Sequence, residues 1–155
     1  MNQLYSQTFS RQLRNFLDEL SIELALPYGW MNGGCLILTE AFVTWGRGAL
    51  KRGGMLRISM TGKSFLDHAF SYHINPATGR LILIDGDGLQ NERLMSSKLY
   101  RLSPATHRYM LLEDCRAYAV GIPKNTVKSK SIAHALQDAF GRFDPGLILP
   151  ESNRQ

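Results

Sequence analysis

Residues 68–88 constrain this chain most. His68 to Ile74 alternates in the manner of a strand, Asn75-Pro76-Ala77-Thr78-Gly79 has turn chemistry, and Arg80 to Ile84 reads as a second strand. Asp85-Gly86-Asp87-Gly88 then ends it abruptly. An antiparallel hairpin with Ile74 facing Leu81 places His68 opposite Asp87 and one diagonal step from Asp85. A shift of two residues puts Asp85 itself opposite. In either register His68 and both aspartates share one face. A one-residue slip separates them, because side chains alternate with a period of two.

The stretch Met31-Asn32-Gly33-Gly34-Cys35, followed by the apolar run Leu36 to Phe42, reads as a glycine-loosened loop entering a helix with Cys35 at or next to its first position. The first N–H groups of a helix lack intrahelical partners and the dipole favours negative charge, which shifts a thiol there towards the thiolate. Gly33 and Gly34 let backbone approach a substrate closely, and with Asn32 and Trp30 they are the candidate substrate-binding and oxyanion positions. The competing reading of Cys35 is a buried structural thiol beside a turn.

Elsewhere, Phe9, Leu13, Phe16, Leu17, Leu20 and Leu24 predict an amphipathic helix over 6–24, stopped by Pro27 and Gly29. The cysteine helix is expected to run to Leu50, with Gly46, Gly48, Gly53 and Gly54 ending it and turning the chain into a short strand from Met55 to Met60. Ser103-Pro104 predicts a short helix through His107, Met110 and Leu111. Arg116 to Val120 predicts a strand, and Ile132 to Phe140 a last helix. The pattern is α+β, a single domain over residues 1–150 with a frayed tail at 151–155. No run approaches the ~18 apolar residues that span a bilayer, and the N-terminal segment lacks a signal peptide's core. The expectation is therefore a cytoplasmic protein with reduced Cys35 and Cys115 and no membrane association. The net charge of +5 is spread out, and its densest patch, Arg47, Lys51, Arg52 and Arg57, reads as a solvated face. No motif calls for nucleic acid.

A thiol nucleophile needs a base, and the imidazole needs an acceptor that fixes its tautomer. Cys35, His68 and Asp85 supply all three groups, with Asp87 the alternative third member. His73 has the opposite parity and reads as a surface residue, while His107 and His134 have no matching partners. Asp67 competes with Asp85, but a strand points it away from the face of its neighbour His68. The Asp-Gly-rich turn fails the calcium-loop pattern at Leu89, and the cysteine and histidine spacings do not suit zinc, so no metal or other cofactor is expected.

The glycine-cysteine that opens an apolar helix (33–42), the histidine-led strand (68–74) and the strand ending in an Asp-Gly-rich turn (81–88) together resemble the papain-like/transglutaminase-like superfamily, especially its small bacterial and phage members. The resemblance covers about the middle third of the chain. It implies a papain-like α+β core, with the cysteine-bearing helix packed on an antiparallel sheet and helices flanking it. It also implies Cys35 as nucleophile, His68 as base and then acid, Asp85 as orienting group and the Cys35 N–H as one oxyanion donor. No glutamine closely precedes Cys35 as a second donor, and Asn32 is the nearest amide. The implied activity is a cysteine-dependent hydrolase or acyltransferase acting on an amide, thioester or glutamine carboxamide of a protein or peptide substrate. The alternative is a non-catalytic papain-like protein that binds a host or other partner.

Overall fold

The structure is a computed structural model that describes residues 4–24, 34–102, 108–118 and 127–151. Helix α1 spans Gln7–Glu23 and begins where the Ser6 hydroxyl accepts the Phe9 N–H. This serine cap satisfies one of the donors that a helix start leaves open. Helix α2 spans Cys35–Gly46. Strands β1 (Lys51–Ile58), β2 (Ser64–Ile74), β3 (Leu81–Asp85) and β4 (Gly88–Gln90) follow, then helix α3 (Glu92–Leu102), strand β5 (Arg108–Leu112) and helix α4 (Val127–Phe140). The strands form one sheet in the order β4-β3-β2-β1-β5, and every neighbouring pair is antiparallel. The fold is α+β.

The sheet carries helices on both faces. Leu13 and Leu17 of α1, Leu38 and Phe42 of α2, and Ile132 and Leu136 of α4 close over Ile82 and Ile84. On the other face Met95 and Leu99 of α3 cover Met55, Phe70, Tyr72 and Leu83. Polar contacts lock α2 in place: Ser71 donates its hydroxyl to the Thr39 carbonyl, Ser129 of α4 to the Ile37 carbonyl, and the Trp45 indole N–H to the Gly141 carbonyl. Among the described residues no helix is long and apolar enough to cross a membrane.

The hairpin register is the one with Ile74 paired to Leu81, and Tyr72 faces Leu83. Other boundaries differ from the sequence expectation. Helix α2 stops at Gly46 rather than Leu50, because Arg47 takes a left-handed conformation (φ 50°) and Gly48 follows at φ 92°. Gly53 and Gly54 do not turn the chain; they lie inside β1, which begins at Lys51 and ends at Ile58 rather than running from Met55 to Met60. They are glycines because the sheet is crowded there. A Cβ on Gly54 would sit 2.5 Å from Leu66 Cδ1, 3.0 Å from Cys115 Cβ and 3.2 Å from the His68 carbonyl oxygen. Gly54→Val is therefore expected to destabilise by about 1–3 kcal/mol through overpacking, read as a lowered urea midpoint. A midpoint unchanged from wild type would show that the crowding relaxes freely.

Arg108–Leu112 is a strand, not the end of a helix opened by Ser103-Pro104: Tyr109 and Leu111 pack towards the α3 face while Arg108 and Met110 face outward, a period of two. Ser103, Pro104 and His107 lie outside the described residues. Arg116–Tyr118 is a single 3₁₀ turn rather than part of a strand. Helix α3 and strand β4 have no counterpart in the sequence reading. Asn91 announces α3 by accepting the Leu94 N–H, with Met95 and Leu99 one helical turn apart on the buried side.

Candidate active site

Cys35 is the first residue of α2 and Gly34 its N-cap, buried and without a side-chain capping bond. The first turn is braced by the Thr39 hydroxyl, which donates to the Cys35 carbonyl at 2.7 Å. Cys35 is partly exposed and reduced, whereas Cys115 is buried beneath β1 and β5, where burial and then the charge of Asp114 push its thiol up to about 11. The two cysteines differ in kind: one is partly exposed at a helix N-terminus and the other is packed away.

His68 stands on β2 where the pairing with β1 shifts register, opposite Met55. Only 1% of its side chain is exposed, and its Nε2 meets Asp85 Oδ2 at 2.7 Å. Asp85 ends β3 one position beyond the last paired rung with β2, Ser71 with Ile84, and His68 lies two residues from the position opposite it, so the contact is the diagonal one. The carboxylate accepts three further bonds: from Lys98 Nζ at 2.6 Å on Oδ2, and from Gln90 Nε2 at 2.5 Å and the Asp87 N–H at 2.9 Å on Oδ1. Asp87 is half exposed and bonds Lys98 at 3.0 Å. The two aspartates do share the side of the sheet that His68 occupies, but it is Asp85 that His68 contacts.

These neighbours shift one another. Burial disfavours the imidazolium, yet the hydrogen bonds and charges of Asp85 and Cys35 outweigh it and push His68 up to about 9. Burial raises the Cys35 thiol, and the hydrogen bond and charge of His68, helped by the N–H groups of Ala69 and Leu36, bring it below the ordinary thiol value. Burial raises Asp85 too, and His68 followed by Lys98 turns that into a net lowering. With Nε2–H committed to Asp85, Nδ1 is the ring nitrogen free to exchange a proton; it is buried and has no hydrogen-bond partner of ordinary geometry among the described residues. This reverses the ring usage of the serine-protease triad, in which Nδ1 serves the carboxylate.

Trp30, Asn32 and Gly33, the remaining candidate substrate and oxyanion positions, lie outside the described residues. His73 is on the opposite face from His68, as its parity requires, but it is half-buried rather than a surface residue. Its Nδ1 lies 3.1 Å from the Ala49 carbonyl, beneath the turn that follows α2. His134 is exposed beside Asp138. Arg57 and Asp67 pair with each other at 3.7 Å. Among the described residues no group of three histidine, cysteine or acidic side chains is disposed to hold a metal ion. Sequence reasoning missed Lys98 and Gln90, which follow from α3 and β4. Comparison with protein-family models, curated proteins and solved structures found no match.

Proposed function

We propose that this protein is a cysteine-dependent hydrolase or acyltransferase with Cys35 as nucleophile, His68 as proton carrier and Asp85 as orienting group. The observation that carries the reading is a buried imidazole fixed at Nε2 by a carboxylate, next to a partly exposed thiol at a helix N-terminus whose pKa it lowers. A helix that presents a cysteine, a strand that presents a histidine and a next strand ending in aspartate is also the arrangement that the papain-like resemblance implies.

In this chemistry the Cys35 thiolate attacks the carbonyl carbon of an amide or thioester. Negative charge develops on the carbonyl oxygen, where the open N–H groups at the start of α2 are suited to receive it. His68 donates its Nδ1 proton to the departing amine or thiol, leaving a thioester on Cys35. The neutral ring then takes a proton from water or an incoming amine, whose attack releases the product and returns the thiolate and imidazolium. Throughout, Asp85 keeps Nε2 protonated.

The test is the rate of iodoacetamide alkylation at Cys35 against pH, in wild type and in His68→Ala. Cys115 is silent in this assay because it is buried, which with the charge of Asp114 pushes its thiol up to about 11. In wild type the rate is expected to rise at a lower pH than for an ordinary thiol. In His68→Ala the rise should move up to the pH of an ordinary thiol and the rate at pH 6.5 should fall severalfold, since thiolate becomes scarcer there although each thiolate is more nucleophilic. A rate that follows an ordinary thiol titration whatever stands at position 68 would leave a binding role for the scaffold.

A further inference from the structure

We infer that Lys98 is a positioning residue of this site: its ammonium, held between Asp85 and Asp87, fixes the carboxylate that orients His68 and takes up part of that carboxylate's charge. The inference rests on the Cys35–His68–Asp85 reading above.

Asp85 is 2% exposed and accepts His68 and Lys98 on one oxygen, Gln90 and the Asp87 N–H on the other. A carboxylate offers about four acceptor positions, so its bonding is complete and its plane cannot turn without breaking charge-assisted bonds. Lys98 reaches it from α3, which is anchored on the same sheet face by Met95 and Leu99. The second bond of the ammonium, to Asp87 Oδ2 at 3.0 Å, clips the turn between β3 and β4, so the end of β3 cannot drift from His68.

The shared oxygen also has an electrostatic consequence. Imidazolium and ammonium are like charges on one acceptor, and each weakens the hold of Asp85 on the other. Without Lys98 the whole carboxylate charge would act on His68, which would bind its proton more tightly and release it to a leaving group less readily. The other charged group acting on the ring is Cys35 from α2; Asp87, on the turn, acts through Lys98.

The experiment is an NMR titration of the His68 ring in ¹⁵N-histidine-labelled protein, comparing wild type with Lys98→Gln, Lys98→Arg, Asp87→Asn and Cys35→Ser. His134, exposed on α4, is the internal control. Lys98→Gln should move the His68 titration upward by on the order of one pH unit, and Lys98→Arg should return it to the wild-type position. Asp87→Asn, at a half-exposed side chain that folding tolerates, should move it the opposite way, because the ammonium is then left to Asp85 alone. A His68 titration unmoved by Lys98→Gln overturns the inference. So does an Asp87→Asn shift that is absent or upward, which decides the matter even if Lys98→Gln does not fold. The Cys35→Ser arm belongs to the proposed function: it should lower the His68 titration, and if it alone fails, the thiolate–imidazolium pair falls while the role of Lys98 stands.

Discussion

Asp85→Ala is expected to destabilise the fold by about 3–5 kcal/mol, the usual effect of leaving a buried charge uncompensated. The side chain is almost fully buried and is the common acceptor for His68, Lys98, Gln90 and the Asp87 N–H. Removing it strands an ammonium and an imidazole in a site closed by α3, and opens the turn into β4. The midpoint of urea unfolding, with an unchanged slope, is the readout. Asp85→Asn separates structure from charge. An amide of the same shape can still accept at its oxygen, so a smaller loss of stability is expected. His68 would nevertheless lose the charge that keeps it protonated, and the Cys35 alkylation profile should move up towards that of an ordinary thiol. A loss under about 1 kcal/mol in Asp85→Ala would mean that these contacts are exchanged for water without penalty.

The second large effect is a pH dependence that appears only when the thiol is removed. His68 is raised from the ordinary 6.5 to about 9 on folding, so its contribution is fully present below pH 6.5 and is lost as pH rises towards 9. Cys35 is lowered, so its contribution grows as pH rises through its folded value and is complete above the ordinary thiol pKa. Between about pH 6.5 and 9 the folded wild type thus holds an extra proton on His68, and above its lowered folded value Cys35 holds fewer protons than in the unfolded chain. The two slopes oppose, and unfolding free energy should vary less across this range than the imidazole alone would make it. In Cys35→Ser only the imidazole slope remains, still supported by Asp85. Stability should then fall by about 2 kcal/mol from pH 6.5 to 9. Below about pH 4 both proteins should weaken alike, because Asp85 is lowered on folding and its contribution disappears as it protonates. Urea titrations at four or five pH values distinguish the cases. Parallel curves for the two proteins above pH 6.5 would deny the ion pair between Cys35 and His68.

Much of the site was legible because strand and helix periodicities act locally. The alternation of His68–Ile74 and Leu81–Ile84, together with a turn of Asn, Pro, Thr and Gly, specifies a hairpin, and the structure adopts the register with Ile74 paired to Leu81 that brings the histidine near the end of the next strand. The apolar run after Cys35 specifies a helix with the cysteine at or next to its first position, and in the structure it is the first residue. These features needed no knowledge of the remaining chain.

Tertiary structure decided what depends on approach between distant elements. Gly53 and Gly54 resemble turn residues in sequence, and only the packing of Phe70, Tyr72, Leu66 and Cys115 against β1 shows that they are glycines for lack of space. Asp85 and Asp87 were equivalent by parity. The choice between them fell to the turn, which leaves Asp87 half exposed and buries Asp85 between β2 and α3. Lys98 carries no local signal at all, since a lysine on a short helix is ordinarily solvated; the packing of Met95 and Leu99 rotates it onto a buried carboxylate. The sequence by itself determined which side chains of one strand share a face, because that follows from a period of two. Which of them touch, and what charge each feels, came only from the closing of α3 and α2 over the two faces of the sheet, where removal from water makes neighbouring charges act strongly on one another.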